Sequence, residues 1–138
     1  MASQDDVRAA YATWPDKGVP DGSGRRVTVL TLPGEAIAGG TPIDIYHVFE
    51  ATLPGVDVFV MGPKPVYGES VDGSQVTPTG PAGEELAPAL YDGEVLPGPA
   101  VDVNYAVTIY TFSSGSGSHT VTWDPVSGLN SNTLVIVV

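Results

Sequence analysis

Two histidines, His47 and His119, and the serines beside the second are the side chains in this sequence best suited to chemistry. A histidine pair can hold zinc when further donors complete a tetrahedral site. The donors near His47 are Asp44 and Glu50. Along an extended strand, residues an odd number apart point to opposite faces, so neither carboxylate joins His47. Each histidine therefore reads as a core or rim residue held by hydrogen bonds. Serine hydrolysis needs a nucleophile, a base and an orienting acid in mutual contact. Ser113, Ser114, Ser116 and Ser118 lead into His119. However, a Gly/Ser hairpin tip holds no nucleophile rigidly, and no G-x-S-x-G elbow occurs. The segment reads as a flexible turn.

The acidic residues give no sharper signal. Glycosidases set two carboxylates several ångströms apart, whereas Glu84 and Glu85 are adjacent and Asp92 and Glu94 fall in a loop-like segment. Asp72-Gly73-Ser74 and Asp102-Val103-Asn104 offer oxygens to calcium, without the regular spacing and closing glutamate of an EF-hand loop. Gly34, Gly39 and Gly40 make no dinucleotide fingerprint. Arg25-Arg26 is a basic pair that reads as solvated charge. No catalytic residue, metal ligand or cofactor is expected. Tyr67, Tyr91, Tyr110, Phe112 and Trp123 are candidates to stack on a sugar or on another subunit, although core or inter-sheet packing is the commoner use of such residues, and Tyr11 and Trp14 could reach a neighbour.

Composition narrows the class. The 138 residues fit one domain. Hydrophobic residues make up 42% and charged residues 15%, with 17 glycines and 13 prolines. Glycine and proline penalise helix interiors, so this mixture suits short strands and tight turns. Sixteen acidic residues against five basic ones give a net charge of −11. Such a surface repels phosphate backbones and anionic membranes, so neither nucleic acid nor membrane is an expected partner. There is no cysteine, hence no disulfide framework. Residues 1–7 show no signal-peptide pattern, and no apolar run approaches the roughly 20 residues of a spanning helix. Synthesis in a cytoplasm, followed by exposure on a released particle or a cell surface, is the expected history.

The elements that must position these residues follow from periodicity. Ser3 can cap a helix to Thr13, with Asp5 and Asp6 in its first turn and Val7, Ala10 and Tyr11 on one face. Residues 1–25 are expected to form this helix and an extended arm. Strands are expected at 26–32, 43–50 and 56–61, the last two as a hairpin around Leu53-Pro54-Gly55. A Pro/Gly-rich excursion spans 62–99, with Val66-Tyr67 and Val95-Leu96 pairing at a sheet edge and a helical turn near 84–90. Residues 101–112 alternate as one long strand: Val101, Val103, Tyr105, Val107 and Ile109 share one face, and Asp102, Asn104, Thr108, Tyr110 and Phe112 the other, where Tyr110 and Phe112 could form an outward pair. Strands at 118–123 and 132–138 close the chain. The five apolar residues 134–138 place that strand centrally or against another subunit.

The fold class is all-β: an antiparallel sandwich over 26–138, immunoglobulin-like or jelly-roll-like, behind a short helical arm. A long strand, a return containing Trp123 and a valine-rich last strand make residues 101–138 resemble the end of immunoglobulin-like modules. Modules of this kind occur in bacterial surface proteins and on tailed-phage particles. With no assembled active site, but with an amino-terminal arm, a Pro/Gly-rich excursion and a doubly apolar last strand, the chain is expected to be a structural, non-enzymatic subunit of a virion (capsid decoration, or a head-tail or tail accessory protein) that contacts capsid or tail proteins or copies of itself. The alternative is a carbohydrate- or cell-surface-binding module.

Overall fold

A computed structural model describes residues 2–86 and 91–138. It is an all-β sandwich with one short helix on its outer face. The helix α1 (Gln4–Thr13) starts where the capping signal lies. Ser3 Oγ accepts from Asp6 N–H at 3.2 Å, and the Asp6 carboxylate accepts from Ser3 N–H at 3.0 Å. Two N–H groups that a bare helix start would strand are thus satisfied.

The first sheet is built on β2 (Ile43–Ala51). β1 (Arg25–Leu30) runs antiparallel along one side of it, and β7 (Ala100–Asp102) and β8 (Thr108–Tyr110) share the other. The second sheet has the order β10 (Leu134–Val137), β9 (Ser118–Trp123), β4 (Glu69–Val71), β5 (Ser74–Gln75), all antiparallel. A two-stranded ribbon, β3 (Asp57–Val60) with β6 (Glu94–Pro97), stands beside the sandwich.

Alternation along β2 explains the layers. Ile43, Ile45, Phe49 and Ala51 meet Val121, Trp123, Leu134 and Ile136 of the second sheet in the main core. Tyr46 and Val48 point the other way and meet Val7, Ala10 and Tyr11 of α1, with Leu30, Leu32 and Val103. β2 is buried on both faces over most of its length, as a central strand is.

Several expectations are corrected. β3 makes no hairpin with β2; it turns away and pairs β6, with Val58 opposite Leu96. The segment 62–99 is more than an excursion, since β4 lies inside the second sheet, hydrogen-bonded to β9. Val95-Leu96 pairs as expected, whereas Val66-Tyr67 belongs to no strand. The helical turn expected near 84–90 falls largely outside the described residues, and Glu84–Leu86 are not helical.

Residues 101–112 are not one strand. Thr108 lies six residues after Asp102, yet their partners Ile45 and Phe49 are only four apart. Two extra residues therefore bulge between β7 and β8. The single alternation expected there breaks at the bulge: Val103 joins the helix layer, while Tyr105, two residues on, lies in the main core. Val101 and Val103 face the helix layer, Val107 and Ile109 lie exposed beyond it, and Thr108, Tyr110 and Phe112 turn inward. The interior accepts Tyr110 because its hydroxyl finds a partner there, described next.

Candidate functional site

The aromatic contact residues expected from the sequence are largely committed to the fold. Tyr11 is buried, and its hydroxyl donates to Glu50, which also takes Arg26 at 2.7 Å. Burial first, then the Glu50 bond and charge, push the Tyr11 phenol up to about 12. Trp14, half-buried, packs against both apolar clusters. The expected arm is therefore ordered on its own domain. Arg25 is likewise paired, with Asp21 at 2.8 Å, so neither arginine of the basic pair is plain solvated charge.

Tyr91 clips the ribbon: its hydroxyl shares its one proton between Glu94 O, at 2.8 Å, and Val60 O, and its ring meets Phe59 edge-on. Tyr67 is half-buried and accepts the Trp123 indole N–H on its carbonyl at 2.9 Å. Phe112 is buried in the core, and Tyr110 reaches inward to donate to Glu69. The outward Tyr110–Phe112 platform is thus a correction: no such pair faces solvent.

The two histidines do not converge. His47 lies in the core, its ring edge-on to Trp123 at 5.2 Å, with Nε2 bonded to the Glu69 carboxylate. Burial pushes Glu69 up, but the bond and charge of His47, with the Thr108 and Tyr110 hydroxyls behind them, hold it below the ordinary range. This is an internal polar clasp between the sheets, sealed from substrate. Among the described residues no group of three His, Asp or Glu side chains is placed to hold a metal ion.

His119 makes the more suggestive arrangement. Nδ1 meets Asp72 Oδ2 at 2.7 Å, and Nε2 meets Ser116 Oγ at 2.7 Å. The order is that of a serine–histidine–aspartate relay. Three observations point to a tie between loops. Ser116 Oγ also lies 2.6 Å from Ser113 O, a turn bond that occupies its proton. Asp72 is exposed and faces solvent. The His119 ring stacks on Phe112 at 4.1 Å, and Asp72 exchanges main-chain and side-chain bonds with Thr120, so the cluster fastens the β4–β5 turn to β9.

The surface left open is an edge. β1's outer edge is covered: Asn132 bonds both the N–H and the C=O of Val29, and the Gly18 N–H donates to Thr28. β10, the terminal strand of the second sheet, has β9 on one side and no strand on the other among the described residues. Leu134 and Ile136 face the core; Val135 and Val137 face out, 57% and 64% exposed. Exposed apolar edges are normally blunted by charge, proline or a bulge, and 134–138 contains none of these residue types.

No protein-family model, curated protein or solved structure matches the chain. Sequence reasoning missed Glu69, Lys64 and Asp102 as buried polar residues. For Asp102 the apolar flanks Val101 and Val103 were the available signal; Glu69, between Gly68 and Ser70, and Lys64, between two prolines, carried none.

Proposed function

We propose that this protein is a structural, non-enzymatic subunit that works by protein–protein contact, and that the partner at β10 is a second copy of the chain. The open β10 edge carries this reading. A strand whose side chains alternate core and solvent, with valines outward and no charge, can pair antiparallel with its own copy around a twofold axis. Both copies would then satisfy their edge N–H and C=O groups and cover Val135 and Val137 together. The uncharged segment also lets two chains of net charge −11 meet without placing like charges opposite one another. Exposed Val107 and Ile109 on the outer side of the β8 segment offer a second apolar contact for another partner.

A particle surface is the setting we favour, a virion decoration or tail accessory subunit contacting capsid or tail proteins, with an extracellular surface as the alternative. Support comes from the acidic, cysteine-free composition and from the return strand containing Trp123 with the apolar last strand beside it. The glycan-binding alternative has less support, because Tyr110 and Phe112 are turned inward. Analytical ultracentrifugation over a concentration series tests the copy-to-copy contact. A dimer that Val135→Lys with Val137→Lys converts to monomer is the expected result, and a monomer at every concentration overturns it.

A further inference from the structure

Lys64 and Asp102 are in contact and almost wholly buried. Lys64 is 2% exposed and Asp102 4%, and the lysine Nζ meets Asp102 Oδ2 directly. Lysine is seldom buried completely, and two charges taken out of water are costly even when paired.

Main-chain bonds hold both residues in place. Lys64 N–H donates to Asn104 O at 2.9 Å, and Ala106 N–H donates to Lys64 O at 2.8 Å. Residue 64 thus bridges Tyr105 in parallel register, while Asp102 is fixed in β7 opposite Phe49. Folding has already removed the freedom that would make an encounter of the two side chains rare. The polar surroundings are specific. Asn104 N–H donates to Asp102 Oδ1 at 3.0 Å, Phe59 O accepts from Nζ at 2.8 Å, and Nζ sits 4.6 Å from the centre of the Tyr105 ring.

We infer that Lys64 and Asp102 condense into an intramolecular isopeptide bond. One proton passes from Nζ to Oδ2, leaving an amine facing a carboxylic acid. The Nζ lone pair attacks Cγ. The Asn104 amide stabilises the charge that gathers on Oδ1, as an oxyanion donor does. Nζ gives a second proton to the departing Oδ2. The N–Cγ bond forms, the Cγ–Oδ2 bond breaks, and one water leaves. Lys64 borders a cavity of about 160 Å³ with Phe49, Phe59 and Tyr105, into which that water can pass. No oxidant, metal or further reactant is needed. One positive and one negative charge vanish together, so the net charge is unchanged. The bond would lock the segment after β3 to β7, a covalent brace independent of whether β10 pairs with a copy.

Intact-mass measurement on the denatured, purified full-length protein decides the matter. The expected mass is one water below the sequence mass, with Lys64→Ala and Asp102→Ala each at its full sequence mass. Peptide mapping places the loss, because Asp21-Gly22, Asp72-Gly73 and Asp92-Gly93 can also lose water as cyclic imides. A branched peptide joining residues 64 and 102 is the supporting result. Full sequence mass in the folded protein after prolonged incubation, or a water loss confined to the Asp-Gly pairs, overturns the inference without any variant having to fold.

Discussion

Asn132 holds both main-chain groups of Val29: its Oδ1 accepts from the Val29 N–H at 2.8 Å and its Nδ2 donates to the Val29 carbonyl at 2.9 Å. One side-chain amide thereby takes the place of a neighbouring strand along β1 and ties the segment before β10 to the first sheet. Asn132→Ala leaves two buried main-chain groups without partners and is expected to cost about 2–4 kcal/mol. Urea denaturation measures it. A loss below half a kilocalorie would mean that water replaces the amide.

The Glu69–His47 clasp makes stability acid-sensitive. Glu69 is held below the ordinary glutamate value of about 4.3, against the upward push of its burial, by the bond and charge of His47 and by two hydroxyls. Its contribution is fully present above that ordinary value and is lost as pH falls through the lower folded one. Thermal midpoints are expected to drop below about pH 4.3. Glu69→Gln, less stable at neutral pH, should show a shallower drop. Asp21 is lowered too: burial raises it, and bonds from Arg25 and Ser23 outweigh that. Some acid sensitivity therefore persists in the variant.

Tyr11 gives the opposite slope at high pH. Burial, then Glu50, raise its phenol from the ordinary value of about 10 to about 12. The stabilisation is whole below the ordinary value and disappears as pH rises through the folded one. Thermal unfolding across that window should show a decline that Tyr11→Phe reduces. An unchanged slope in the variant would place Tyr11 away from Glu50 in solution.

Helix α1 is a cover for the first sheet. Ser3→Ala, which removes the cap, is expected to cost roughly 1 kcal/mol. Deleting residues 1–14 uncovers Leu30, Tyr46, Val48 and Val103, and should bring dye binding and aggregation. A deletion variant that stays stable and binds no dye would show that the helix packs elsewhere.

Ser116 should behave as an ordinary serine. With its hydroxyl committed to Ser113 O, a fluorophosphonate probe is expected to leave it unlabelled. Labelling at Ser116 that His119→Ala or Asp72→Ala abolishes would turn the relay geometry into a catalytic one.

How far the fold can be read from sequence differs by element. The helix was legible because capping, acidic first turn and the Val7–Ala10–Tyr11 stripe all lie within ten residues. β1, β2, β9 and β10 were legible from alternation and turn residues. β4 was not: its three residues sit among glycines and prolines, and only pairing with β9 makes them a strand. The sidedness of 101–112 was not legible either, because alternation states which residues share a face and leaves open which face is inside.

Local physics, then, is written in the chain itself: strand-forming composition, the capped helix, an acidic surface and an apolar last strand follow from residue types and spacing within a few positions of each other. Tertiary structure alone decided what meets what. Glu69 finds His47 and Tyr110, Lys64 finds Asp102, His119 finds Asp72, and β10 is left with an open edge, since partners this far apart in sequence are chosen by strand pairing and burial of the whole chain at once.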